Sequence, residues 1–172
     1  EAALEYEKTA YGYAAHAKAA DAGYAALLAH TETEKRAAAA DKPLAQRAGI
    51  ASALKFADAF GKDSRVAPVL TNTADRLFAM SDAQAAMVAE RVLKLDPPAT
   101  SEQRRVATTV LAHTAFESGA FDRAERRYAE VLALTPERDA KRGELIERQA
   151  ASIYKQGEAA GKAGDARAAV GH

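Results

Sequence analysis

Val106-Ala107-Thr108-Thr109-Val110-Leu111-Ala112-His113-Thr114-Ala115-Phe116-Glu117-Ser118-Gly119-Ala120-Phe121-Asp122-Arg123-Ala124-Glu125-Arg126-Arg127-Tyr128-Ala129-Glu130-Val131-Leu132-Ala133-Leu134-Thr135-Pro136 holds two helical stripes and a turn between them. Val106, Val110, His113 and Phe116 recur at helical spacing and so share one face; Phe121, Ala124, Tyr128 and Val131 do the same on a second helix. Ser118-Gly119 separates the two sets. Glycine accepts the left-handed backbone that ends a helix, which predicts two antiparallel helices joined by a tight turn. The second helix should stop at Leu134-Thr135-Pro136, because proline opens a helix and does not continue one, with Thr135 placed to cap the next start. Just upstream, Thr100-Ser101-Glu102-Gln103 has the form of a capping box.

Working outward, Val131-Leu132-Ala133-Leu134-Thr135-Pro136 matches Val92-Leu93-Lys94-Leu95-Asp96-Pro97 at an offset of 39 residues. Tyr13-Ala14-Ala15-His16-Ala17-Lys18-Ala19 matches Phe60-Gly61-Lys62-Asp63-Ser64-Arg65-Val66 at an offset of 47. Offsets of this size indicate stacked two-helix repeats. The pattern predicts seven or eight helices, roughly 1–12, 16–31, 43–60, 65–80, 82–95, 101–117, 121–134 and a long 139–163, with another start at 166. Both ends fall inside helical patterns, as expected of a segment of a longer protein.

Composition agrees. Of 172 residues, 46 are alanine, which leaves the larger apolar side chains to form a core between closely approaching helices. The 24 basic and 24 acidic groups cancel, and residues 101–172 carry 12 and 11, so neither the whole nor its second part has the charge of a nucleic-acid binder. No run is long and apolar enough to span a bilayer, which predicts no direct membrane insertion by this segment. Absent cysteine excludes disulfides, zinc–thiolate sites and cysteine nucleophiles.

In residues 105–138, Leu111-Ala112, Phe116, Gly119, Phe121, Ala124-x-x-x-Tyr128 and Pro136 resemble a tetratricopeptide repeat. The large residue usual near Thr108 is missing, and Ala115 stands where an aromatic is usual, with Phe116 beside it. Weaker copies extend the resemblance over nearly the whole chain: a half repeat at 1–14, a degenerate repeat at 16–62, a repeat at 65–98, the best repeat at 101–138, and a truncated repeat with an extended first helix at 139–172. The resemblance implies an all-α fold, a right-handed solenoid of antiparallel helix pairs. The turns at Tyr13 to Ala20 and Phe60 to Ala67 are similar to repeats of bacterial cell-envelope lipoproteins and periplasmic coordinators, although those often carry proline where this chain has Ala14 and Gly61. That narrower resemblance implies a bacterial protein of the periplasm or outer-membrane periphery.

The catalytic inventory is empty by sequence, which predicts no enzyme. His16, His30, His113 and His172 lie in no metal-binding spacing, and only His113 is placed mid-helix, as a structural or groove-lining residue. There is no nucleophile elbow, phosphate loop or dinucleotide fingerprint, so no cofactor and no metal are expected. Gly157, Gly161 and Gly164 read as close helix packing and a turn. Glu144 and Glu147 beside Arg148 read as a salt-bridged surface, as does the mixture of Arg104, Arg105, Arg123, Arg126 and Arg127 with Glu102, Glu125 and Glu130. Thr31-Glu32-Thr33-Glu34-Lys35-Arg36 reads as a solvated helix end opening an enlarged link over 32–43.

In tetratricopeptide repeats the first helix of each pair lines the concave wall. The resemblance places Tyr24, Leu27, Thr71, Asp75, Phe78, Thr109, His113, Phe116, Tyr154 and Glu158 there. Aromatic groups among scattered polar ones suit an extended or helical peptide, so the expected function is a non-catalytic scaffold that binds a protein or peptide. The family's carboxylate clamp needs paired Lys and Asn, and Thr71, Asp75, Thr109 and His113 occupy those places; a chaperone-tail adaptor is not expected. The alternative is a structural spacer of an envelope protein, self-associating through its open ends.

Overall fold

The computed structural model describes residues 1–14 and 16–162. Among them are eight α-helices and no strand: α1 (Ala2–Tyr11), α2 (Ala19–Arg36), α3 (Lys42–Ala59), α4 (Val66–Ala79), α5 (Gln84–Leu93), α6 (Ser101–Glu117), α7 (Phe121–Leu134) and α8 (Arg142–Lys162). The chain forms two compact units, residues 1–73 and residues from Ala74 onward, and the division falls inside α4.

In the first unit α2 packs on both α1 and α3. The register of α1 and α2 is antiparallel, since Tyr11 meets Gly23 while the earlier Glu7 meets the later His30. Gly23 lets these helices close up. A β-carbon there would stand 2.9 Å from the Phe60 ring, 3.0 Å from the Tyr11 hydroxyl and 3.2 Å from the Phe56 ring. Those rings form a chain, Tyr11 stacked on Phe60, Phe60 tilted on Phe56, and Phe56 on Tyr24. Glu7 accepts from Lys55 Nζ at 3.3 Å and lies 3.2 Å from His30 Nε2, so one carboxylate ties α1 to α2 and α3. Burial opposes its ionisation, but its bonds to His30 and Lys55 prevail and hold the carboxyl below its usual range.

The predicted link over 32–43 is shorter in the structure: α2 continues to Arg36, and only residues 37–41 connect it to α3. The extra turn satisfies itself internally. Thr31 and Thr33 donate to the carbonyls of Leu27 and Ala29, and Lys35 pairs with Glu32 at 2.7 Å. The helix stops where Ala37 turns extended, and Pro43 sits in the first turn of α3. His30 therefore lies well inside its helix, as His113 does.

In the second unit α5, α6, α7 and α8 pack in succession. Ala112, Ala115, Ala124, Tyr128, Val131 and Leu145 form a core in which alanines at the α6–α7 contact leave room for one large ring, Tyr128, at 0% exposure. The matched Val92 and Val131 are both fully buried near the ends of α5 and α7. The predicted capping box forms: the Gln103 N–H donates to Thr100 Oγ1 and the Thr100 N–H donates to Gln103 Oε1. Gly119 takes φ +78°, and the next N–H, of Ala120, donates to Ala115 O at 2.9 Å, closing α6 as the sequence predicts. A second left-handed residue, Ser81 at φ 52°, closes α4 through the Asp82 N–H to Leu77 O bond.

Thr135 departs from its expected part. It is the C-cap of α7, and its hydroxyl donates back to Val131 O rather than capping a following helix. The Arg142 guanidinium donates to the carbonyls of Leu132 and Thr135, and Asp139 organises the intervening turn by accepting the Lys141 N–H. These bonds delay the start of α8 from the predicted 139 to Arg142. A β-carbon at Gly161 would meet nothing within 4 Å, so close packing does not explain that glycine. Gly164, the start at 166 and His172 lie outside the described residues. No helix among the described residues is long and apolar enough to cross a membrane.

Candidate functional site

The second unit holds a cavity of about 230 Å³ lined by Asp75, Glu102, Arg105, Val106, Thr109, His113, Lys141, Glu144 and Leu145. Its walls are the last turns of α4, one stripe of α6 and the opening of α8. The capping box fixes where α6 begins. From that start Glu102, Arg105, Val106, Thr109 and His113 follow at helical spacing and so face one way.

His113 is the most constrained of these groups. Its ring stacks on Phe78 with centroids 5.5 Å apart, and its Nδ1 lies 2.7 Å from the hydroxyl of buried Tyr128. Burial drives the imidazole below its usual pKa and the nearby Arg148 adds to this, while Glu144 and Glu117 pull the other way. Burial likewise pushes the Tyr128 hydroxyl up to about 12. The pair is thus neutral at physiological pH and joins α6 to α7. Arg105, 20% exposed, donates twice to Glu102 at 2.9 and 2.7 Å and stands 3.5 Å from Asp139. The guanidinium holds the Glu102 carboxyl below its usual range. Asp75 makes no hydrogen bond or ion pair with any described residue. Among the described residues no three His, Cys, Asp or Glu side chains are grouped to hold a metal ion.

Of the ten residues predicted to line a groove, the structure brings four together. Asp75, Thr109 and His113 line the cavity, and Phe78 stacks behind His113. Thr71, on the same stripe of α4, is buried and donates its hydroxyl to Ala67 O at 2.7 Å. Phe116 packs edge-on to Phe121 beneath the Arg148 guanidinium, as part of the α6–α7–α8 core margin. Tyr154 projects from α8 at 66% exposure, and Glu158 pairs with Lys155. Tyr24 and half-buried Leu27 belong to the first unit, where Tyr24 packs on Phe56 under the Arg65 guanidinium.

Sequence reasoning missed Glu102, Arg105, Val106, Lys141, Glu144 and Leu145 as lining residues. In sequence, Arg105 and Glu144 read as solvated surface because their neighbours are charged. The capping box contained the missing signal, since it sets the phase of α6 and places Glu102, Arg105, Thr109 and His113 in register. Arg127, grouped with them in sequence, lies elsewhere, paired with Glu90 and Glu130 at 2.7 and 2.8 Å. No family model matches the chain, and no curated protein and no solved structure matches it.

Proposed function

We propose that the chain is a non-catalytic scaffold of tetratricopeptide type that binds a peptide or a segment of a partner protein along its first helices. In that reading α4, α6 and α8 are the first members of successive pairs, and the pairs build a right-handed solenoid whose concave wall carries the contacts. One observation supports it above others: Asp75, Phe78, Thr109 and His113, chosen as wall positions by the repeat pattern, meet around a single concave cavity shared by those three helices. A rigid, neutral aromatic group flanked by charged side chains is a surface suited to peptide recognition. The experiment is selection from a displayed library of random peptides against the wild type and against an Asp75→Asn, His113→Ala double variant. The reading expects a family of peptides that binds the wild type and loses at least about tenfold in affinity on the double variant. Selected peptides that bind both forms equally would refute it.

A second reading, a spacer or self-assembling segment of a bacterial envelope protein, has one observation in its favour. Leu4 and Leu44, 66% and 74% exposed, flank an open apolar groove of about 700 Å³ in the first unit, between α1, the end of α2 and the start of α3. Light scattering over a concentration series tests the self-assembly, and a strict monomer at every concentration contradicts that part of the reading.

A further inference from the structure

Resting on the peptide-binding reading, we infer that the cavity between α4, α6 and α8 receives one long basic side chain, arginine or lysine, from the bound partner. Size, lining and charge each bear on this. A volume of about 230 Å³ admits a single large side chain and not a folded element. Val106 and Leu145 contribute apolar surface and Asp75 and Glu144 contribute carboxylates, a combination that matches a methylene stem ending in a cation. A purely apolar occupant would displace solvent from the Asp75 carboxylate without replacing it, and an acidic one would meet Asp75 and Glu144 as like charges.

The charges already present sort in the same direction. Arg105 is committed to Glu102 and Asp139, so that ion pair forms one wall and offers little to a ligand. Glu144 is held only loosely, 3.8 Å from Arg148. Asp75 has no hydrogen-bond or ion-pair partner among the described residues and, like Glu144, is exposed to solvent at the cavity mouth. Lys141 is the one cation of the lining outside an ion pair, and it stands exposed. His113, stacked on Phe78 and bonded to Tyr128, adds an aromatic surface against which a guanidinium packs well. Asp75 and Phe78 lie one turn apart on α4, so the free carboxylate and the aromatic pair approach the cavity from the same side.

The test uses two small probes on the full chain: N-acetyl-arginine methylamide and its uncharged isostere N-acetyl-citrulline methylamide. Each is titrated while the imidazole resonances of His113 are followed by NMR. The proposal expects saturable shifts with the arginine probe, about tenfold weaker binding of the citrulline probe, and a similar loss for the arginine probe on Asp75→Asn. Glu147→Gln, an exposed carboxylate outside the cavity, should leave binding unchanged. Equal responses to both probes, no response to either, or equal losses in Asp75→Asn and Glu147→Gln would overturn it. The display selection, with its peptides then measured on Asp75→Asn and His113→Ala singly, separates this failure from failure of the wider reading. Neutral or acidic peptides that need His113 but not Asp75 would refute the basic side chain and keep the groove. A responsive arginine probe with no selectable peptide would refute the peptide groove and leave a small cation site.

Discussion

Ser81 and Gly119 solve the same problem with different residues. Each closes a helix in the left-handed region, at φ 52° and +78°, but only glycine does so without a β-carbon penalty. Ser81→Gly should therefore stabilise the protein by about 1 kcal/mol, read from the urea midpoint at constant slope. An unchanged or lower midpoint would show that the Ser81 side chain compensates for its backbone. His113 gives a second prediction at this scale. Burial lowers its pKa in the folded state, so below the ordinary value of 6.5 the unfolded chain binds a proton that the folded one resists. Stability should then fall as pH drops from about 7 to about 5, and it should fall less in His113→Gln, which carries no titrating group. Urea melts of both proteins at the two pH values check the sign. A steeper acid loss in the variant would contradict it.

At the scale of elements, the α2 contact with α1 and α3 depends on one missing methyl group. Gly23→Ala would place a β-carbon 2.9 Å from the Phe60 ring and 3.0 Å from the Tyr11 hydroxyl, and should destabilise the first unit by about 1–3 kcal/mol. Circular dichroism melts, with the near-ultraviolet tyrosine signal as the local report, would show this; a wild-type melt would mean the rings can retreat. Helix positions were legible in the sequence because helical stripes, the Thr100 capping box and Gly119 each have a local cause. The misjudged boundaries were set by non-local or less distinctive bonds. Arg142 reaches back to the carbonyls of Leu132 and Thr135 and so converts an expected helix start into a helix end. The last turn of α2 is held by a Lys35–Glu32 pair that has the composition of a link. Ser81 gave no signal, since serine at a left-handed position looks like any turn residue.

For the whole molecule, balanced charge and 46 alanines describe a chain whose helices approach closely and whose surface has no dominant field. On the proposed peptide-binding reading, specificity comes from local features, and the cavity of the second unit holds the candidates. The repeat pattern picks out Asp75, Phe78, Thr109 and His113, and the structure places three of them in the cavity lining and Phe78 against His113. Glu102, Arg105 and Val106 follow from the helix phase that the Thr100 capping box sets, whereas Lys141, Glu144 and Leu145 do not, because a side chain at a helix start or in a preceding turn is assigned to a cavity only by how neighbouring helices meet. The measurement that bears most directly on the central claim is amide and imidazole NMR mapping of the full chain with the tightest peptide from the display selection. The account predicts the largest shifts at Asp75, Phe78, Thr109, His113 and Lys141, with the α1–α3 groove unmoved. Largest shifts at Leu4, Leu44 and Ala48, with the His113 resonances unchanged, would contradict it.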